Sequence, residues 1–130
     1  MEPAVHLRAH SYEGAIDTLP TVDLAASATF YARAFGMTVD AARSSQSRMV
    51  LVRDQIAMGL ETNGRDPEQN GAAIEVDDVE RARAERIEGR DAGTALDIGE
   101  IAPGEHGGRA LRAVFDRAPD GLCFSFHTDA

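Results

Sequence analysis

The chain has 130 residues, 43% of them hydrophobic and 27% charged, with 13 basic against 22 acidic side chains and a formal charge of -9. That length suits one domain with a single core, and the acidic balance excludes the basic face that nucleic acid or an anionic membrane requires. Every basic residue is arginine, which removes Schiff-base and lysine-base chemistry, and the lone Cys123 allows no internal disulfide.

The N-terminal stretch "MEPAVHLRAHSYEG" lacks a basic segment followed by an apolar run, and no apolar run reaches bilayer length. A soluble cytoplasmic protein is therefore expected, with residues 1–13 as an extended N-terminal arm. His6 and His10 share one face of that arm, have no third ligand nearby and read as surface residues. "EGAIDTLPTV" reads as a short extended segment. Asp23 is a good N-cap, and Leu24, Ala28, Tyr31 and Phe35 recur at helical spacing until Gly36 stops the helix. "MTVDAAR" restarts in extended form, and "QSRMVLVRDQIAMGLET" is two strands about a tight turn at Arg53, Asp54 and Gln55.

Residues 63–70, "NGRDPEQN", are dense in turn formers and read as a linker. "AAIEV" is then a strand, Asp78 a second N-cap, and "VERARAERIE" a short charged helix ending at Gly89. "TALDIGEIA" is a strand or irregular edge, "PGEHGG" a loop, "RALRAVFD" a strand, "RAPDG" a turn and "LCFSFHT" the closing strand. The chain thus splits into a module at about 14–62 and another at about 71–127. Each runs strand, helix, strand, strand, strand. Units this small share one core rather than build two.

"VDLAASATFYARAFG" resembles the first helix of the vicinal-oxygen-chelate superfamily, which holds glyoxalase I, bleomycin-resistance proteins and extradiol dioxygenases. "AAIEVDDVERARAE" and "HGGRALRAVFDRAPDGLCFSF" resemble its second-half strand and helix and its closing hairpin. The resemblance runs from Ala15 to Phe126, nearest to the small resistance-type members. It implies an α+β fold of two βαβββ modules, whose curved mixed sheets enclose a cavity and carry the helices on their outer faces. It also implies a homodimer. In metal-using members each module's first and last strands supply a pair of ligands. The matching positions here are Ile16, Glu61, Gly71 and Ser125, of which only Glu61 is a good donor, so no metal and no cofactor is expected.

Alternation in the closing strand puts Phe124 and Phe126 on one face and Cys123, Ser125 and His127 on the other. If the phenylalanines pack on the helices, the second set faces the cavity. His127, Cys123 and Glu61 then form a conceivable alternative metal site; a polar residue near the C-terminus and a small buried filler are the plainer readings. His106 in its loop reaches a ligand at the cavity mouth or is simply solvated. Glu75 serves as a general base only if buried. Arg109 and Arg112 have opposite parity, so at most one faces the cavity. Small residues, Ala57 and Gly59 beside Glu61, would leave room for a ligand.

The expected function is metal-independent binding of a small organic molecule, with Thr18, Glu61, His106, Cys123, Ser125 and His127 on the cavity face. The alternative is a lyase, isomerase or dioxygenase-like enzyme on the same fold with a non-standard or absent metal site, since fold alone does not fix activity. A third reading is a protein-interaction or purely structural role.

Overall fold

A computed structural model describes residues 3–12, 14–89 and 98–130 of the chain, and the strands among them form two sheets. Strand β1 (His6–Ser11) comes first, then a 3₁₀ turn at Ile16–Thr18 and the two-residue β2 (Leu19–Pro20). Helix α1 (Leu24–Ala34), β3 (Thr38–Val39), β4 (Arg48–Arg53) and β5 (Ile56–Glu61) complete the first module. The second holds β6 (Gly71–Val76), α2 (Val79–Gly89), β7 (Ala102–His106), β8 (Arg109–Arg117) and β9 (Cys123–Asp129). One sheet has the order β2-β5-β4-β3, and the other β1-β6-β9-β8-β7. Each mixes one parallel pair, β2 with β5 or β6 with β9, with antiparallel neighbours. The architecture is the α+β arrangement of two βαβββ modules.

The helices begin where the caps predict. Asp23 Oδ1 accepts the Ala26 N–H at 3.1 Å, and Asp78 Oδ1 accepts the Arg81 N–H at 3.0 Å, each satisfying one of the first-turn donors left without a helical partner. Helix α1 closes at Phe35, ahead of Gly36 at φ +63°. Its buried stripe, Tyr31 and Phe35, meets Phe124 and Phe126 of β9. Ring centroids lie 4.9 Å apart for Phe35 and Phe124, 5.3 Å for Phe35 and Phe126 and 5.5 Å for Tyr31 and Phe124, in edge contacts worth about 0.5–1.5 kcal/mol apiece beyond area burial. One module's helix therefore packs on the other module's closing strand, and the two modules share one core.

Three sequence expectations are corrected. The segment around Ile16 and Thr18 is a 3₁₀ turn, and only Leu19 and Pro20 pair as a strand. The N-terminal arm is β1, laid antiparallel on β6 of the second module. A register shift between His6 and Arg8 breaks strict alternation, so His10 is exposed while His6 is 3% exposed rather than at the surface. "PGEHGG" is not a loop: Pro103–His106 belong to β7, and Gly107 and Gly108, at φ +59° and +80°, form the two-residue turn to β8. Two successive positive φ angles suit the twist of a hairpin, and glycine adopts them without strain. Of the expected strand at "TALDIGEIA", residues 94–97 lie outside the described residues.

Arginines tie the modules together. Arg86 of α2 is 2% exposed. Its Nη1 donates to the Ala34 carbonyl at the end of α1 at 2.8 Å, its guanidinium lies 4.4 Å from the Phe35 ring centroid, and it pairs with the buried Asp116 of β8. Burial pushes the Asp116 carboxyl up and the Arg86 guanidinium down, and their attraction opposes both shifts. Arg53, at the end of β4, donates to the Phe35 carbonyl at 2.7 Å and the Ala4 carbonyl at 3.0 Å and pairs with Glu85.

Removing one partner of a buried pair strands the other charge. Asp116→Ala is expected to cost about 3–5 kcal/mol in urea denaturation, while Arg86→Met with Asp116→Leu costs less than the single change. A single-variant loss below about 1 kcal/mol would show that the pair is solvated.

His6 has its ring edge on Phe126, centroids 5.9 Å apart, and its Nδ1 3.5 Å from Asp54 Oδ2. Its pKa lies below the ordinary 6.5, first through burial and then through Arg53, with Glu85 and Asp54 opposing. The folded state thus disfavours the proton. The contribution of His6 to stability is full above pH 6.5 and is lost as pH falls from there through the lower folded value. His6→Gln should flatten the melting-temperature change between about pH 7.5 and 5.5; an unchanged slope would locate it elsewhere.

Candidate functional site

Among the described residues, the helices cover one face of each sheet and leave the other free of helix. On the five-stranded sheet, register and alternation order the uncovered side chains into rows across the strands. One row runs Arg8, Glu75, His127, Ala113, and the next His10, Ala73, Ser125, Phe115. A third runs Gly71, Cys123, Arg117. The first row opens into a shallow cavity of about 210 Å³ that Arg109 and Asp129 also line. Arg8 Nε meets Glu75 Oε2 at 2.7 Å, Arg109 pairs with Asp129, and the His10 and His127 rings stand 6.2 Å apart. Arg112, of opposite parity to Arg109, points to the helix side and pairs with Glu80 of α2.

The third row carries Tyr12. Its N–H donates to the Gly71 carbonyl at 2.9 Å, and its ring lies so close on Gly71 that a Cβ there would come within 2.6 Å of Cε2. Burial pushes the Tyr12 phenol up to about 12, with Ser125 opposing. Burial also pushes the Cys123 thiol up, the opposite of what an activated nucleophile needs.

The four-stranded sheet turns Ala57, Gly59 and Glu61 to its uncovered face, opposite Val52, Val50 and Arg48 of β4. Here lies a cavity of about 360 Å³ with Val50, Ala57 and Gly59 among its apolar lining and Asp17, Arg43 and Arg48 as its charged groups. Arg48 reaches Asp17 Oδ2 at 3.1 Å, and its Nε is buried with no hydrogen-bond partner among the described residues. Ala57 leaves room as expected of a small residue. Gly59 does not: the space a Cβ would take is filled by the Asp17 carbonyl, where the 3₁₀ turn crosses β5.

The six expected cavity residues are dispersed. Thr18 sits in the 3₁₀ turn with its hydroxyl toward the Ala15 carbonyl at 3.4 Å, and its own carbonyl accepts from Asn63 Nδ2 at 3.1 Å. Glu61 is half-buried on the four-stranded sheet, whereas Cys123, Ser125 and His127 stand on the five-stranded one. His106 ends β7 opposite Arg109, and its side chain lies outside the described residues. Sequence reasoning missed Tyr12 and Arg8. Both follow His10 in parity, but only the pairing of β1 with β6 reveals that they reach this face.

The metal positions of the resemblance do not fit an ion. Ile16 and Gly71 offer no side-chain donor atom, serine is a poor ligand, and Glu61 stands on the other sheet from Gly71 and Ser125. Among the described residues no three His, Cys, Asp or Glu side chains come together as a metal requires. No helix among them is long and apolar enough to cross a membrane.

No protein-family model matches the chain, and no curated protein matches it in sequence. Solved structures do match in three dimensions. An integron cassette protein from the mobile metagenome of V. cholerae superposes with a TM-score of 0.65 at 19% identity, covering 91% of this chain and 97% of its own. The bleomycin-binding protein of Streptomyces verticillus, solved with copper(II)-bleomycin, gives 0.65 at 21% identity, over 88% and 94% of the two chains. A bleomycin resistance determinant encoded on transposon Tn5 gives 0.62 at 20%, over 90% and 98%. Two βαβββ modules around one core, matched over nearly the full length of such proteins, give this chain the vicinal-oxygen-chelate fold.

Proposed function

We propose that the protein binds a small organic molecule without a metal, on the uncovered faces of its sheets. The observation that carries this reading is the cavity of about 360 Å³ on the four-stranded sheet. Its volume falls in the range of small-molecule pockets, its lining is partly apolar, and Arg48 at its wall keeps an unsatisfied buried donor. Similarity of fold to bleomycin-binding proteins supports the ligand class. In this reading Glu61 and Thr18 flank that cavity, while His127, Ser125, Cys123 and His106 belong to the second face.

The protein acts as a cytoplasmic homodimer in this proposal. Each uncovered face is half a cleft, and Phe115, 55% exposed on the five-stranded sheet, is apolar surface that a second copy would cover. Light scattering at high micromolar concentration should give twice the 13.9 kDa chain mass; a species of chain mass alone would defeat the assembly.

Binding is tested by thermal shift with a panel of small organic molecules, bleomycin included, in the presence of EDTA. A ligand of the native state raises the melting temperature. Ala57→Phe, which fills the cavity, should abolish the rise. Glu61→Ala and His127→Ala should weaken binding about tenfold, or 1.4 kcal/mol each, with little change in the unliganded melting temperature. A rise that disappears in EDTA and returns with added metal would overturn metal independence. Unchanged affinity with a collapsed melting temperature in the alanine variants would make those residues structural.

A further inference from the structure

The chain carries 13 basic and 22 acidic side chains, yet the cavity of about 360 Å³ on the four-stranded sheet reverses that balance. Its charged lining is Arg43, Arg48 and Asp17. The backbone under all three is fixed. Arg48 opens β4 opposite Glu61, and its carbonyl accepts the Ser45 N–H at 2.7 Å. Arg43 ends the 3₁₀ turn Ala41–Arg43, which is tied to β4 twice. The Asp40 N–H donates to the Val50 carbonyl at 2.8 Å, and the Ser44 hydroxyl accepts the Val50 N–H at 3.0 Å while donating to the Asp40 carbonyl at 2.8 Å. Arg43 Nε donates at 2.7 Å to Asp40, which stands outside the lining. Asp17 is held because its own carbonyl fills the space over Gly59.

A guanidinium has five N–H donors and no acceptor. Its Nε and Nη2 form one edge, spaced for the two oxygens of a single carboxylate. On Arg48 that edge is half filled: Nη2 lies 3.1 Å from Asp17 Oδ2, while Nε is buried with no partner. The neighbouring wall is apolar, with Val50, Ala57 and Met58, so a charge-assisted bond made there is weakly screened. An ammonium ligand would face two guanidinium groups, and the carboxylate of the lining is already engaged by Arg48. An amide would set its own N–H groups against donors. A carboxylate brings acceptors alone. We infer that the ligand of this cavity is an organic anion, an apolar body whose carboxylate lies on Arg48 and Arg43 and competes with Asp17 for the Arg48 edge. The inference names a ligand class for the small-molecule reading above and rests on it.

Naphthalene-2-carboxylate and its neutral counterpart naphthalene-2-carboxamide are the probes, followed by equilibrium dialysis with naphthalene fluorescence at fixed pH and salt. The wild type should bind the carboxylate about tenfold more tightly than the amide, and Ala57→Phe should abolish binding of both. Arg48→Gln should remove the preference. Asp17→Asn keeps the backbone contact with Gly59 and should tighten carboxylate binding about threefold or more, by withdrawing the competing charge. Opposite effects from the two ends of one ion pair are not what a merely structural pair would give. If Arg48→Gln does not fold, the wild-type preference and Asp17→Asn decide. A preference below about twofold, carboxylate binding that Asp17→Asn weakens or leaves unchanged, or a preference that survives Arg48→Gln or Ala57→Phe would each overturn the inference. Equal binding of both probes that Ala57→Phe abolishes would overturn the anion and leave the cavity reading standing. Binding of neither probe would also overturn the anion, and the wider ligand panel then decides the cavity reading by itself.

Discussion

The buried guanidinium of Arg86 is the interaction on which the rest of the molecule depends. It caps the end of α1 through the Ala34 carbonyl, lies on the Phe35 ring and neutralises Asp116 of β8. Those contacts reach a helix of the first module and a strand of the second from one side chain of α2. Only a planar group with several fixed donors can satisfy them together, which is why lysine would not serve. Arg53 repeats the device from the other side through the Phe35 carbonyl and Glu85. With both helices held against the shared aromatic core, the opposite faces of the two sheets are left for binding.

Those faces are shaped by the chain's own backbone and aromatic side chains as much as by vacancy. The 3₁₀ turn lies across β5 at Gly59, and Tyr12 lies across β6 at Gly71. In each case a glycine that looks like space for a ligand is space for a segment of the same chain. What remains for a guest is displaced sideways, over Ala57 and Val50 on one sheet and toward the Arg8, His10 and His127 group on the other.

Local chemistry was legible in the sequence. Both aspartate caps, the Tyr31 and Phe35 stripe, the Asp54 turn and the inward phenylalanines of the closing strand follow from propensity and period, which depend on neighbours a few residues apart. Long-range pairing was not. Nothing local says that His6–Ser11 joins β6, so His6 reads as exposed and Tyr12 carries no signal of its place. Arg86 lay hidden because a charged helix usually has a solvated face, and the Asp116 that neutralises it belongs to another strand. The "PGEHGG" error is of a different kind: two glycines in succession marked the turn correctly, but Pro103 and Gly104 masked an edge strand, the one place in a sheet where proline is tolerated. The candidate site was legible in part: the parity of β9 follows from alternation, whereas only the sheet order shows that Glu61 and His127 stand on different sheets.

The pairing of β1 with β6 also has a temporal side. Strand β1 is synthesised before the whole first module, and its partner β6 after it. At about 5–20 residues per second, a growing chain carries β1 uncovered for several seconds before Val76 is made. During that interval the first module can collapse, but His6 lacks Phe126, the last strand's contribution, and its burial cannot be completed. Folding of this domain is therefore tied to the synthesis of β9, and a chain released before β6 would display an unpaired strand edge, the feature most prone to unwanted association.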